Sequence, residues 1–427
     1  MHEYGAEDKV AKWLGKTMRR RDCIKCLAST LGLPFVMAAN AVSPAPRLTP
    51  PEEIERRVRK ARPLLGGTIP GDLKDRLGAT HYNGKYYRTR HPYLLEGCET
   101  LLGLGMHVAK LWFGNQLPGY GYNSDWKLSA ESRLIDVAKH PYFVQAFALP
   151  FTTFVLEIQP VAGGGKGFSD PHWAFADDEA QFYELAGYLL KTYHQRQVTF
   201  ILQHWEGDWM LRGNFKETWE PGQERYVEER CRGFVRWLTA RQRGVARARN
   251  EASATQCRVY HAAEVNRVWD STRDIPTLTT HVLPHVAVDL VSWSSYDGMA
   301  SPVKAWQGLE IIRHYMRPSP VFGKPVVYIG EIGKPERGQS EEEIVSWWDN
   351  AMGVFFAQQV PWILHWELYC NEVANNRGPK RDVYRAEDLR GFWLIRPDGS
   401  LSYSGKYLKA LLEHAGGALP KEIQRPV

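Results

Sequence analysis

Lys324-Pro325-Val326-Val327-Tyr328-Ile329-Gly330-Glu331-Ile332-Gly333 is a short apolar run, fenced by a proline and two glycines, that delivers a single carboxylate at its end. Val, Tyr and Ile stand on both of its faces, as in a strand of a parallel sheet covered by helices. The strand is expected over Val326 to Gly330. Seven further runs of this kind are expected at Leu77 to His81, His107 to Phe113, Thr152 to Ile158, Val198 to Gln203, Arg258 to Ala262, Val288 to Ser292 and Trp362 to Trp366. Helical periodicity fills the intervals, at Leu94 to Leu104, Glu179 to His194, Tyr226 to Asn250, Val303 to Tyr315, Glu341 to Gln358 and Ser402 to Glu413.

Eight strand-helix units in series predict an α/β fold, a closed (β/α)₈ TIM barrel. The doubly wound alternative needs a glycine-rich phosphate loop after its first strand. Gly163-Gly164-Gly165-Lys166 has neither the spacing nor a following helix, and reads as a loop. The longer segments 114–129, 207–222 and 371–389 all follow strands. The chain's elaboration is therefore expected on the C-terminal face, where barrels carry their active sites.

Composition permits this and narrows the partners. With 44% hydrophobic and 24% charged residues, the chain has ample material for one large core. The 16 Trp and 20 Tyr suit stacking on sugar faces as well as packing. A formal charge of +6 is spread between the N-terminus and Arg241, Arg243, Arg247 and Arg249 rather than gathered in one stripe, so nucleic acid is not expected as a partner. Nothing in the chain specifies an oligomeric state.

The N-terminus reads as a targeting segment. Arg20-Arg21, a trailing Lys25 and an apolar stretch through Leu27, Leu31, Leu33, Phe35, Val36 and Met37 lead to Ala39-Asn40-Ala41. This resembles a twin-arginine export signal with a small-x-small cleavage site, and implies a periplasmic or extracellular product. Met18 is an alternative start, and a cytosolic protein with an amphipathic N-terminal helix is the competing reading. The stretch is too short for a stable membrane anchor. Residues 1–41 are thus expected as signal, 42–76 as a lead-in, 77–415 as the barrel and 416–427 as a tail. Cys23 and Cys26 form a CxxC with no second pair at metal-site spacing, so no metal is expected. Cys98, Cys231, Cys257 and Cys370 are either buried thiols or at most two bridges.

Glu331 ends the seventh strand. Glu206, in Val198-Thr199-Phe200-Ile201-Leu202-Gln203-His204-Trp205-Glu206-Gly207, ends the fourth. Two carboxyls about 5 Å apart are what retaining glycoside hydrolysis requires, one to attack the anomeric carbon and one to protonate the leaving oxygen. On these residues the chain resembles clan A of the glycoside hydrolases over roughly residues 75 to 415. The clan's barrels carry the acid/base Glu after strand four and the nucleophilic Glu after strand seven. Ile329-Gly330-Glu331-Ile332-Gly333 looks like its nucleophile strand, and 288–296, ending in Tyr296, looks like its sixth strand, whose tyrosine hydrogen-bonds the nucleophile. Trp366, in 362–367, looks like its strand-eight tryptophan under the bound sugar, and Arg396-Pro397-Asp398-Gly399-Ser400 like the turn before the final helix.

The resemblance implies a retaining glycosidase acting on carbohydrate, with Glu331 as nucleophile, Glu206 as acid/base and no cofactor. Two positions depart from it. The clan's Asn before the acid/base is Trp205 here, which leaves His204 or Trp205 to hold hydroxyls and makes Asp208 a rival acid. The strand-two arginine is absent, with Lys110 or Asn115 in its neighbourhood. His81, Trp112, Asn115, His172, Trp173, Trp209, Trp293, Glu264 and Glu367 also fall at or after strand ends. Of these, His81, Trp112, Asn115, Glu264 and Glu367 are carried as candidate substrate contacts. Each of Glu206, Glu264, Glu331 and Glu367 can equally be a structural carboxylate paired with Arg or Lys. The alternatives to a glycosidase are a carbohydrate-binding barrel without turnover, a metal-dependent barrel hydrolase using His81, His204, His261 and Glu331, and a signal-anchored structural protein.

Overall fold

Strands β1 (Leu77–His81), β2 (Val108–Trp112), β3 (Thr153–Glu157), β4 (Thr199–Gln203), β5 (Arg258–Val265), β6 (Leu290–Ser294), β7 (Val327–Ile332) and β8 (Ile363–His365) pair in parallel in chain order. Strand β8 then returns to pair with β1 and closes the barrel. Closure leaves no edge strand, and parallel neighbours require the crossover helices seen between them. The expected TIM barrel is the observed fold. The computed structural model describes residues 45–159, 175–213, 224–375 and 380–424. Residues 1–41, expected as an export signal, the run 163–166, His172 and Trp173 lie outside the described residues.

Helices Tyr93–Gly103, Phe175–Thr192, Glu224–Glu251, Pro302–Tyr315, Glu341–Ala357 and Tyr403–Glu413 lie within a few residues of their expected bounds. Their starts follow local chemistry. Ser340 caps 341–357 and exchanges hydrogen bonds with Glu343, while Ser402 caps 403–413. Outward strand residues such as Phe154 and Phe200 stack on each other beneath the helices. Arg241 on helix 224–251 is sealed there with Asp178, Nε to Oδ1 at 2.9 Å. Among the described residues no helix is long and apolar enough to cross a membrane.

One feature differs from the sequence expectation and two add to it. Strand β5 runs on to Val265, which puts Glu264 inside the strand rather than after it. Residues expected as a lead-in include the helix Pro51–Ala61, whose Ile54 and Val58 are buried, and Arg62 bonds Asp349 at 2.6 Å. Leu48–Val427 accordingly form one compact unit. Cys98, Cys231, Cys257 and Cys370 are buried and free, with no bridge among them.

Gly78 on β1 stands close against the backbone of β2. A Cβ there would stand 2.1 Å from the Val108 carbonyl oxygen and 2.7 Å from its carbonyl carbon, and backbone cannot rotate away as a side chain can. Gly78→Ala is expected to destabilise the protein by about 1–3 kcal/mol or more. A lowered urea midpoint with unchanged slope would show it, and an unchanged midpoint would refute it.

Candidate active site

Strand alternation sends Tyr328 and Gly330 of β7 toward the barrel interior and would send Glu331 toward the helices. Pairing with β6 skips a residue, however: Trp293 pairs with Ile329 and Ser294 with Glu331, so Gly330 is the extra residue of a bulge. The bulge turns Glu331 inward, where its Oε2 lies 3.5 Å from Lys110 Nζ. Only glycine fits the bulge. A Cβ at 330 would meet Ser292 Oγ at 1.7 Å and Glu264 Oε2 at 2.7 Å. The backbone of β7 is pinned in place, since both the N–H and the hydroxyl of Ser295 donate to the Glu331 carbonyl, at 2.9 and 3.1 Å.

Glu206 is presented by backbone strain. It adopts φ 30°, in the left-handed region that a residue with a Cβ occupies only at a cost, and the helix Gly207–Arg212 starts directly after it. Glu264 compensates by accepting the Glu206 N–H on Oε1 at 2.8 Å. Ser294 Oγ donates to Glu206 Oε1 at 2.7 Å. Ser294 therefore links the two residues, bonding the Glu206 carboxyl through its side chain and pairing with Glu331 through the backbone. Asp208, the rival acid, is fully engaged elsewhere. It accepts N–H groups from Asn266 (2.8 Å), Arg267 (3.0 Å) and Leu278 (2.7 Å), which makes it a loop anchor.

Beneath the two carboxyls the barrel interior is polar. Lys110 Nζ sits 3.3 Å from Glu157, 3.4 Å from Glu264 and 3.5 Å from Glu331, and donates to the Gly330 carbonyl at 3.1 Å. Gln203 donates to Glu157 at 2.8 Å and to Glu264 at 2.9 Å, Ser292 donates to Glu264 at 2.6 Å, and Tyr328 donates to Gln203. Sequence reading named Lys110 and Glu264 but missed Glu157, Gln203, Ser292, Ser294 and Tyr328. Their signal was present as a polar residue at inward positions of otherwise apolar strands.

Burial disfavours the charged form of a carboxyl, and it raises Glu157, Glu206 and Glu331 here. Glu206 is pushed up to about 8, first by burial and then by Glu264, with the bonds from Ser294 and Trp209 and the charge of Lys110 opposing. Glu331 is pushed well above its ordinary value by burial, Lys110 pulls it back, and Glu206, Glu264 and Glu157 add to the rise. Burial alone would lower Lys110, but Glu264, Glu157 and Glu331 outweigh it and keep the ammonium charged.

The other expected site residues divide. Trp112 and Trp366, both half-buried, lie 6.0 Å apart at the β2 and β8 ends. Tyr82, which sequence reading missed, stacks on Trp112 at 4.7 Å and 7°, so the three rings form an aromatic wall. Tyr296 opens the turn Tyr296–Gly298 directly after Ser295, beside β7. Trp205 is half-buried at the β4 end. Glu367 follows the wall, fully buried and pushed well above its ordinary value by burial, with Lys85 opposing.

Four residues are not where the expectation put them. Glu264 lies below the rim, its oxygens already taken by Ser292, Gln203 and the Glu206 N–H. His81 turns out to the helix layer, Nε2 on the Tyr93 carbonyl at 2.7 Å. His204 does likewise, packed on Phe234 and Trp237, with Nε2 accepting the Glu264 N–H at 3.1 Å. Odd and even strand positions face opposite sides, and both histidines fall on the outer set. Asn115 is spent on the loop, donating to the Ala130 carbonyl at 2.7 Å. The metal alternative loses its ligand set for the same reason. His81, His204 and His261 each bond in the helix layer, and burial lowers His81 and His204 to about 4. Among the described residues no group of His, Cys, Asp and Glu is arranged to hold an ion.

No family model and no curated protein sequence matches this chain. Solved structures do. A GH5_18 protein from Bifidobacterium longum subsp. infantis aligns at 13% identity and TM-score 0.49, covering 80% of each chain. The GH53 catalytic domain of Ignisphaera aggregans aligns at 12% identity and TM-score 0.43, covering 81% of this chain and 99% of its own. A GH39 beta-xylosidase from Caulobacter crescentus aligns at 14% identity and TM-score 0.45, covering 81% of this chain and 72% of its own.

Proposed function

We propose that this chain is a glycoside hydrolase that cleaves O-glycosidic bonds of a poly- or oligosaccharide with retention of configuration. The observation that carries the reading is the convergence of Glu206 and Glu331 at the ends of β4 and β7, linked through Ser294 above a sealed polar interior. Glu206, kept protonated at neutral pH chiefly by burial, gives its proton to the leaving oxygen while a Glu331 carboxylate oxygen attacks the anomeric carbon. The C–O bond to the leaving group breaks as the glycosyl-enzyme ester forms. Glu206, now ionised, takes a proton from water, which attacks the same carbon and releases Glu331. Trp112, Trp366 and Tyr82 offer apolar faces for the sugar rings. Acid, base and nucleophile all come from the chain, so the scheme calls for no cofactor. The Arg20-Arg21 segment supports export of the mature protein to the periplasm or beyond.

The test is to incubate the full chain with a panel of aryl glycosides and polysaccharides and follow the first-formed product by proton NMR. Retention at the anomeric carbon is the expected result, unaffected by a chelator. Inversion would sink the double displacement, and glycan binding with no turnover would favour a carbohydrate-binding barrel.

A further inference from the structure

The polar interior holds more acid than base. Glu157, Glu264 and Glu331 all lie within 3.5 Å of the single ammonium of Lys110, and Glu206 stands above them. Lys110, Glu157 and Glu264 are completely enclosed, and Glu331 is 4% exposed. In such surroundings several carboxylates cannot all be ionised against one cation. The donors say which one is best satisfied as an anion. Glu264 accepts from Gln203, Ser292 and the Glu206 N–H on its two oxygens. Glu157 meets Lys110 and Gln203 through Oε2 alone, and its enclosed Oε1 has no hydrogen-bond partner among the described residues. An ionised Glu157 would leave that oxygen uncompensated, so Glu157 competes poorly for charge yet occupies the same ammonium as Glu331.

We propose that Lys110 and Glu157 are opposed positioning residues that decide whether Glu331 is charged. The ammonium favours the Glu331 carboxylate, and a charged Glu157 disfavours it, both by drawing Lys110 and by repulsion. The inference rests on Glu331 being the nucleophile. The charged and titratable groups around Glu331 are Lys110 from β2, Glu157 from β3, Glu206 after β4, Glu264 from β5 and Glu367 after β8. Burial also pushes Glu157 up, to about 7, so its charge changes in the range where the enzyme would work.

The sign follows directly. Glu331 must be ionised to attack, so its ionisation is the acid limb of kcat/KM. Lys110→Met removes the favourable charge, and the limb should move to higher pH by about 1 to 3 units. Glu157→Gln keeps the bond to Gln203 in shape but removes the competing charge, and the limb should move to lower pH. Lys110→Arg should restore much of the wild-type profile. Loosened packing would lower the rate without moving the limb in opposite directions.

The measurement is made twice on the full chain: as pH profiles with an aryl glycoside that wild type cleaves, and as carboxyl titrations by infrared difference spectroscopy, with Glu331→Gln identifying the Glu331 band. The spectroscopic titration needs no turnover. Opposite displacements of the Glu331 band with no cleavage of any glycoside would uphold the charge relation and fail the glycosidase reading. Turnover that depends on Glu331, with a band and a limb that neither variant moves, would overturn the inference alone. Should Lys110→Met not fold, Glu157→Gln decides: a downward shift supports the inference, and no shift or an upward one overturns it.

Discussion

Glu331→Gln is expected to reduce kcat by on the order of 10⁶ on any aryl glycoside that wild type cleaves, the scale of loss when a covalent nucleophile is removed. The amide has nearly the shape of the carboxyl but cannot form the glycosyl ester, so both displacements are blocked. Stability should not fall with activity. Glu331 is one of several buried carboxyls around Lys110, and a neutral side chain relieves repulsion among Glu157, Glu206 and Glu264. Urea unfolding of the variant is therefore expected at or above the wild-type midpoint. Glu331→Ala should also accept azide in the vacated space, giving a glycosyl azide of inverted configuration. A loss of less than tenfold, or azide product of retained configuration, would assign the attack to another group.

Glu206→Gln should cost about 10² to 10⁴ in rate when the leaving group is a poor one that needs a proton. For a dinitrophenyl leaving group, which departs without help, the first displacement should be nearly unaffected and the second slow, so a burst of phenolate is expected. The pH profile carries the same distinction. On the proposed mechanism Glu206 acts first as an acid, and burial raises it to about 8, so its proton is held through neutrality and lost as pH rises past that value. Wild-type activity should fall on that basic limb, and the Gln variant should lack it. Equal slowing of good and poor leaving groups would mean that Glu206 only shapes the site.

Much of this was legible along the chain. Eight apolar runs separated by helical segments imply the barrel, because a parallel strand hydrophobic on both faces can be buried only between helices and its neighbours. Strand order then follows from adjacency, and a carboxylate at a strand's C-terminal end has to reach the rim. Glu206 and Glu331 emerge from that reasoning together with the aromatic positions Trp112 and Trp366. The errors are equally systematic. Strand ends are read less securely than strand existence, and β5 runs three residues beyond its expected end, which moved Glu264 from the rim to the interior. His81 and His204 were placed by proximity to a strand end, whereas the parity of the strand position sends them into the helix layer.

By itself, then, the sequence determined the barrel, the elaborated face and the two carboxylates at its rim, because these depend on local periodicity and chain order. Only the tertiary structure decided how those carboxylates are aimed and charged. The bulge at Gly330 reverses the facing that alternation assigns to Glu331, and Glu206 keeps its left-handed backbone through a carboxylate 58 positions away in the chain. The sharing of Lys110 among Glu157, Glu264 and Glu331 joins four strands. Periodicity reports which face a residue prefers, but electrostatics in an enclosed interior depends on distances across the barrel, and closure alone brings those residues together.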